Sequence, residues 1–273
     1  MNPPFCLTAG ETRVDIGIVP GTVGAIILAA GRGKRMKSPL AKVLHAVRGK
    51  PMVQYVVEAA VAVSGDAVVV VVGHQAEEVR RVVSRVAPVR FALQEEPLGT
   101  GHAVRCALPV VPAACESLLV LCGDVPLIAP GTLSALAEDH RRAERDVTVL
   151  AVDLEQPAGY GRLIFDAAGG LRAIVEEADA DSVQRAVRTV NSGIYCLRKP
   201  FLETALPRLS RNNAQGEYYL TEVVRIGVEG GFRVGVFRGG DPEEVLGINS
   251  PADLERIERL LALRGAPGVR RPA

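Results

Sequence analysis

Cations gathered around a glycine turn are the first chemistry legible in this sequence. In Ala25-Ile-Ile-Leu-Ala-Ala-Gly-Arg-Gly-Lys-Arg-Met36 an apolar, strand-like run ends at Leu28, Ala29, Ala30 and Gly31. It turns through Gly33 among Arg32, Lys34 and Arg35, and Lys42 follows shortly after. Small residues bring backbone N–H groups close to a ligand, and N–H groups beside several cations make a cradle for a polyphosphate. Gly31-x-Gly33-x-x-Met36 has methionine where a dinucleotide fingerprint has its third glycine, and no Gly-Lys-Ser/Thr closes a Walker loop. Lys42 and Arg35 are the strongest candidates for holding phosphate. A cation about 4 Å from a phosphate oxygen, at an effective dielectric near 20, gains roughly 4 kcal/mol before desolvation. The plainer reading is a tight turn with solvated charges; the glycines beside these two cations favour phosphate.

Asp124 follows the apolar run Leu118–Cys122 through the single glycine Gly123. That places a carboxylate at the C-terminal edge of a parallel sheet, where ligands bind in open α/β folds. Mg²⁺ keeps several waters and takes one or two protein oxygens beside substrate phosphates, so one aspartate plus an amide oxygen suffices. Asp124 could equally cap its turn. Gln94 carries a donor and an acceptor, which suits a uracil edge, although a polar residue ending a strand reads the same way. Gly99 and Thr100 open a helix whose N–H groups can meet a base or phosphates. No Ser/His/Asp or Cys/His set suggests a nucleophile. The four histidines lack metal-ligand spacing, and His45, His74 and His102 sit beside turns or helix starts, where local hydrogen bonding is expected.

The elements that must position these residues alternate along the chain. Val23–Ala30, Ala67–Val72, Val89–Leu93, Leu118–Cys122 and Val147–Val152 read as strands. Pro51–Val63, Gln75–Val86, Gly101–Leu108 and Pro130–Arg142 read as the helices between them. This rhythm with near-continuous apolar strands predicts a parallel sheet covered on both faces. After Leu154 the texture changes. Tyr160–Phe165 and Leu171–Val175 read as a hairpin, Thr189–Leu197 and Phe232–Phe237 as strands, and Glu217–Gly227 as a helix. Ser250-Pro-Ala-Asp253 opens a last helix fading near Leu263. The expected organisation is an extension over residues 1–22, a domain over 23–263 and a tail over 264–273.

Bulk properties narrow the function. The 273 residues allow one large α/β domain or two small ones, and the formal net charge of +1 creates no global field to recruit nucleic acid or an anionic membrane. Five scattered cysteines without a Cys-x-x-Cys read as reduced thiols of a cytoplasmic protein, with Cys106, Cys122 and Cys196 as small core residues. No apolar run is long enough to span a bilayer, and residues 1–22 make a poor signal peptide.

Together the motifs resemble the N-terminal uridylyltransferase (pyrophosphorylase) domain of the bifunctional bacterial enzyme that makes UDP-N-acetylglucosamine, within the sugar nucleotidyltransferase superfamily. The resemblance runs from about Val23 to Leu263. It is carried by the Leu28–Met36 loop, Lys42-Val-Leu-His45, Gly49-Lys-Pro-Met52, Gln94 with Leu98-Gly-Thr-Gly-His-Ala103, and Gly123-Asp-Val-Pro-Leu127. Gly159-Tyr-Gly-Arg162, Ile174-Val-Glu176, Val190-Asn-Ser-Gly-Ile194 and Gly247-Ile-Asn249 continue it. The narrowest motif is Asn212-Asn-Ala-Gln-Gly-Glu-Tyr-Tyr-Leu-Thr221. The resemblance implies a GT-A-like, dinucleotide-fold-like α/β core. Its mostly parallel mixed sheet would be flanked by helices and joined to a strand-rich sugar-binding half. It also implies Mg²⁺, UTP and N-acetylglucosamine 1-phosphate, with release of pyrophosphate.

Carried over by position, Arg35 and Lys42 would be catalytic, and Asp124 and Asn249 would hold the metal. Leu28, Ala29, Ala30, Gly31, Gly33, Gln94, Gly99, Thr100, Cys122 and Gly123 would meet the nucleotide. Gly161, Glu176, Asn191, Tyr219 and Thr221 would meet the sugar. Sequence alone would make Asn249 a helix cap. Cys122 stands where the family usually has Tyr, Lys34 where it has Thr, and Ala41 where it has Pro, which touches nucleotide affinity and sugar preference. No hexapeptide β-helix pattern follows the last helix, so acetyltransferase activity and the trimer such a domain builds are not expected. A related transferase with another sugar or nucleotide, or a non-catalytic nucleotide-sugar-binding module, are the competing readings.

Overall fold

The computed structural model describes residues 23–239 and 241–264. The extension expected over 1–22 and the tail expected past the last helix lie outside the described residues. The chain opens with β1 (Val23–Leu28), the two-residue strands β2 (Ala46–Val47) and β3 (Lys50–Pro51), and α1 (Met52–Ser64). Then follow β4 (Val68–Val72), α2 (Ala76–Val83), β5 (Arg90–Leu93), α3 (Thr100–Ala107), β6 (Ser117–Cys122), α4 (Pro130–Arg142) and β7 (Val147–Asp153). The second half carries β8 (Arg162–Phe165), β9 (Leu171–Val175), α5 (Ser182–Arg185), β10 (Thr189–Arg198) and α6 (Lys199–Ala205). It ends with α7 (Glu222–Glu229), β11 (Val234–Arg238) and α8 (Pro251–Arg264).

The main sheet has the order β11-β7-β10-β6-β1-β4-β5, with β8 and β9 attached beside β10. All five valines of β4 are buried, as an unalternating apolar strand must be when helices cover both faces. One face packs Val53 and Val57 of α1, Leu133 and Leu136 of α4 and Ile257 of α8; the other packs Val104 of α3, Phe201 of α6 and Val223 of α7. The expected two-sided burial is borne out.

The sheet is mostly parallel and mixed, as the resemblance implied, and β10 is the strand that makes it mixed. This strand runs antiparallel to both β6 and β7, while β1, β4, β5 and β6 pair in parallel, as do β7 and β11. The chain leaves β7 through the hairpin β8–β9 and the short α5, not through a long crossover helix, so it re-enters the sheet from the opposite end. Its pairing with β7 is interrupted between Asn191 and Tyr195, where Gly193 takes φ +78°. A bulge of this kind re-aims side chains at a sheet end.

The helix expected over Glu217–Gly227 starts only at Glu222. Residues before it are tied to the start of α3: Tyr218 N–H donates to Leu98 O (2.8 Å), Gly101 N–H to Tyr218 O (2.8 Å), and Leu220 N–H to Thr100 Oγ1 (3.0 Å). Those bonds compete with helix formation and prevail. The strand expected from Tyr160 begins at Arg162. The helices α5 and α6 and the hairpin β2–β3 were not anticipated.

One buried group gives the fold a pH dependence. His140 of α4 is 2% exposed, its Nδ1 bonds Thr148 Oγ1 (2.8 Å), and its Nε2 is buried with no hydrogen-bond partner among the described residues. Burial first, then Arg145 and Arg198, push its pKa down to about 4. The unfolded chain therefore takes up this proton near pH 6.5 and the folded chain only near pH 4, so stability present above pH 6.5 falls as pH drops between the two. Between about pH 7 and about pH 4.5 the loss should be about 2–3 kcal/mol. Urea unfolding at the two pH values should show it in the native chain and not in His140→Gln; equal pH slopes would refute the assignment.

Candidate functional site

Beyond β1 the backbone keeps sheet-like pairing for two more residues: Ala29 N–H donates to Val71 O (2.9 Å) and Ala30 O accepts from His74 N–H (3.3 Å). The chain then turns. Gly33 sits at φ +68°, and a Cβ there would stand 2.6 Å from Lys42 Cβ, so both its conformation and its neighbour require glycine. Lys34–Met36 forms a single 3-10 turn with Met36 buried, and Lys42–Leu44 forms another with Val43 and Leu44 buried. Ala41 N–H donates to Gln75 Oε1 (2.6 Å). The apolar neighbours thus anchor the backbone on which Lys42 and Arg35 reach outward.

Lys42 Nζ ion-pairs with Asp124 Oδ2 and donates to Asn249 Oδ1 (2.6 Å), and Arg35 Nη2 donates to the same amide oxygen (2.7 Å). Four residues from three distant stretches of chain meet at one point. Asp124 stands just past the end of β6, and its backbone oxygen accepts from Ile248 N–H (2.9 Å), which seats Asn249 beside it. The capping alternative for Asn249 does not hold. The start of α8 is served by Asp253 Oδ2, which accepts from Asn249 N–H (2.9 Å), Ser250 N–H (2.8 Å) and Ser250 Oγ (2.9 Å). The Asn249 side chain is therefore left to face the cations.

Two adjoining cavities share Leu28, Thr100, Cys122 and Asp124. The larger, about 450 Å³, is lined by Ala30, Gly31, Gly33, Lys42, Gln94 and Gly99 among others; that volume lies in the range of small-molecule sites. The smaller, about 190 Å³, is lined by Gly161, Glu176, Asn191, Thr221 and Asn249 together with Tyr160, Tyr195 and Gly247. Four expected site residues, Ala29, Gly123, Tyr219 and Arg35, lie outside both linings. Ala29 is buried in the core, Gly123 backs the strand with its N–H on Leu28 O (2.9 Å), and Tyr219 has a buried hydroxyl close to Asp179 and Gln215. Burial pushes the Tyr219 phenol up to about 12. Arg35 reaches the site through Asn249 and not through a cavity wall.

In the smaller cavity Thr221 Oγ1 donates to Glu176 Oε1 (3.0 Å) and Asn191 Nδ2 donates to the Tyr195 hydroxyl (2.7 Å). Burial raises the Glu176 pKa, opposed by the Thr221 hydrogen bond. A Cβ at Gly161 would press on Ile174 Cγ2 at 3.0 Å and only touch Glu176 Oε2 at 3.4 Å, so glycine here serves the packing of the hairpin beside Glu176. Cys122, expected both as a small core residue and against the nucleotide, packs on the core and borders both cavities; its thiol donates to Gly193 O (3.5 Å), and burial pushes its pKa up to about 12. Tyr195 was missed by sequence reasoning, although four residues from Asn191 along a strand is the spacing that returns a side chain to one face.

The donor set suits a hard divalent cation. Asp124 Oδ2 and Asn249 Oδ1 converge on a single cationic atom, one carboxylate and one amide oxygen, which is the modest protein contribution Mg²⁺ takes when phosphates and water complete its shell. No cluster of three or more His, Cys, Asp or Glu suited to a metal occurs among the described residues. Nor is any helix there long and apolar enough to cross a membrane. The described cysteines, Cys106, Cys115, Cys122 and Cys196, are free.

The model of a MobA-like NTP transferase domain matches residues 25–191. The chain is 46% identical over 239 residues to the protein named bifunctional protein GlmU of Geotalea uraniireducens, covering 88% of this chain and 52% of that one. It is 48% identical over 242 residues to the protein of the same name from Pelotomaculum thermopropionicum, covering 89% and 52%. With the one from Desulfotalea psychrophila it shares 42% over 239 residues, covering 88% and 70%. The chain thus spans about half the length of the first two relatives.

Proposed function

The chain belongs to the MobA-like NTP transferase family, and from that premise we propose that it transfers the uridylyl group of UTP to N-acetylglucosamine 1-phosphate, giving UDP-N-acetylglucosamine and pyrophosphate. The family makes it a nucleotidyltransferase. The finer reading rests on one observation: Lys42, Asp124 and Asn249 meet at the edge shared by a glycine-lined cavity and a cavity lined by Glu176, Asn191 and Thr221.

The nucleophile would be a phosphate oxygen of the sugar phosphate, which is already ionised at neutral pH, so no general base is needed. It attacks the α-phosphorus of UTP, a new P–O bond forms, and the bond to the β-phosphate oxygen breaks to release pyrophosphate. The protein's part is positioning and charge neutralisation. Gly31 and Gly33 let the triphosphate approach the backbone. Lys42 and Arg35 bring positive charge to the phosphates on which negative charge collects. Asp124 and Asn249 would hold Mg²⁺, which when bound would neutralise phosphate charge as a Lewis acid. On the sugar side, Glu176, held by Thr221, would accept from a hydroxyl or the acetamido N–H, and Asn191 offers an amide for the same groups.

The test is a pyrophosphate-release assay across nucleoside triphosphates and sugar 1-phosphates, with and without Mg²⁺. Release should be fastest with UTP and N-acetylglucosamine 1-phosphate and should require the divalent ion. Preference for another sugar phosphate would reassign the substrate. Tight UDP-sugar binding without turnover would make the protein a binding module.

A further inference from the structure

Gln94 is 5% exposed and borders the larger cavity, and its amide nitrogen is fully engaged inside the protein. Nε2 donates to Gly99 O (3.0 Å) and stands 3.1 Å from His102 Nδ1. A backbone carbonyl can only accept, so the atom facing Gly99 must be the nitrogen, with its second hydrogen on His102. His102 Nδ1 is then an acceptor, which requires the neutral ring with its proton on Nε2, and that nitrogen faces Cys106 Sγ at 3.7 Å. Burial, then Arg105, lowers the His102 pKa, opposed by Glu96, in keeping with a neutral ring. No hydrogen bond from a described residue reaches the Gln94 carbonyl oxygen. That oxygen is the polar atom left to the cavity.

We propose that His102 is a positioning residue for nucleobase choice: its Nδ1 locks the Gln94 amide so that the cavity presents an acceptor and selects bases with an imide N–H. Uracil, and equally thymine, carries a donor at N3, whereas cytosine carries an acceptor there and would set two lone pairs against each other. This deepens the uridylyl-transfer reading and rests on it for the identity of the nucleotide. His102 touches no substrate; it acts through Gln94. Because Gly99 O also holds the amide, His102 supplies part of the lock, of the size of one neutral hydrogen bond, or about tenfold in selectivity.

The experiment compares UTP with CTP, by kcat/KM in the pyrophosphate assay and by calorimetric binding, for the native protein and for His102→Leu and His102→Asn. The asparagine Oδ1 can replace the Nδ1 acceptor, whereas leucine keeps bulk and offers none. The UTP-to-CTP ratio should fall about tenfold in His102→Leu and stay within about twofold of native in His102→Asn, with both variants folded by circular dichroism. A native ratio in His102→Leu, or equal loss in both variants, would overturn the proposal. So would equal binding of UTP and CTP by the native protein. If the native protein releases no pyrophosphate from UTP, the transferase reading fails, while the binding arm still decides the lock. Histidine ring ¹⁵N NMR on the nucleotide-free protein is an arm free of substrate: it should show His102 as the Nε2–H tautomer, and the Nδ1–H tautomer would refute the lock directly.

Discussion

Asp124→Ala should lower kcat for pyrophosphate release by about a thousandfold, the scale on which a single preorganised charge contact acts in a transition state. The argument is geometric. Asp124 contributes the one carboxylate at the point where Lys42 and the Asn249 amide oxygen meet, with its side chain 18% exposed. Removing it leaves a neutral oxygen as the only described protein ligand of the pair, which cannot hold a divalent cation against its hydration. The stability cost should be small by comparison. The Lys42–Asp124 pair is largely buried, but Asn249 Oδ1 still holds the ammonium and the backbone bond from Ile248 N–H to Asp124 O survives the substitution, so breaking it costs about 2 kcal/mol. Activity and folding are therefore separable: the variant should unfold within several degrees of the native protein yet remain inactive at any temperature where both are folded. Asp124→Asn sharpens the result, since it keeps shape and an oxygen but removes the charge, and it should recover little. Robust turnover by Asp124→Ala would sink the metal assignment.

Much of this arrangement was readable before any coordinates, for physical reasons that differ from element to element. The five valines of β4 could only be an interior strand, and Pro130 with the apolar spacing of Leu133, Leu136 and Ala137 fixed α4 to the residue. Asp124 was legible because a carboxylate one glycine beyond an apolar strand has few other places to be. Asn249 was not: as a sequence it is the polar residue before Ser250-Pro251, and only the competition won by Asp253 for the helix start sends its side chain elsewhere. The resemblance implied a mixed sheet, but which strand reverses was hidden. Strand direction is set by how the intervening hairpin returns the chain, and no residue within Thr189–Arg198 encodes it. The false helical start at Glu217 failed through tertiary hydrogen bonds to Leu98, Thr100 and Gly101, long-range partners that a local pattern cannot report. Tyr219, placed near the sugar by its motif, has a buried hydroxyl that takes no part in either cavity wall, while Tyr195 lines one.

Lys42→Met should separate two roles that coincide in one side chain. Turnover should fall about a thousandfold, because the triphosphate loses its most central cation while methionine preserves the stem that packs against Gly33. Divalent binding by the nucleotide-free protein should move the other way. In the structure the ammonium bonds both oxygens proposed as metal ligands, so a divalent ion must displace it and then tolerate its charge nearby. A nucleotide relieves that conflict by giving the lysine phosphate oxygens to hold. Without the ammonium, Mn²⁺ titrated into the free protein and followed by electron paramagnetic resonance should bind about tenfold more tightly, equivalent to removing about 1.4 kcal/mol of competition. Nucleotide should strengthen Mn²⁺ binding strongly in the native protein and weakly in the variant, since only the native lysine has to be drawn away. Weaker Mn²⁺ binding by Lys42→Met would mean that the lysine holds Asp124 and Asn249 in place for the metal, and the competition argument would fall even if turnover were lost as expected.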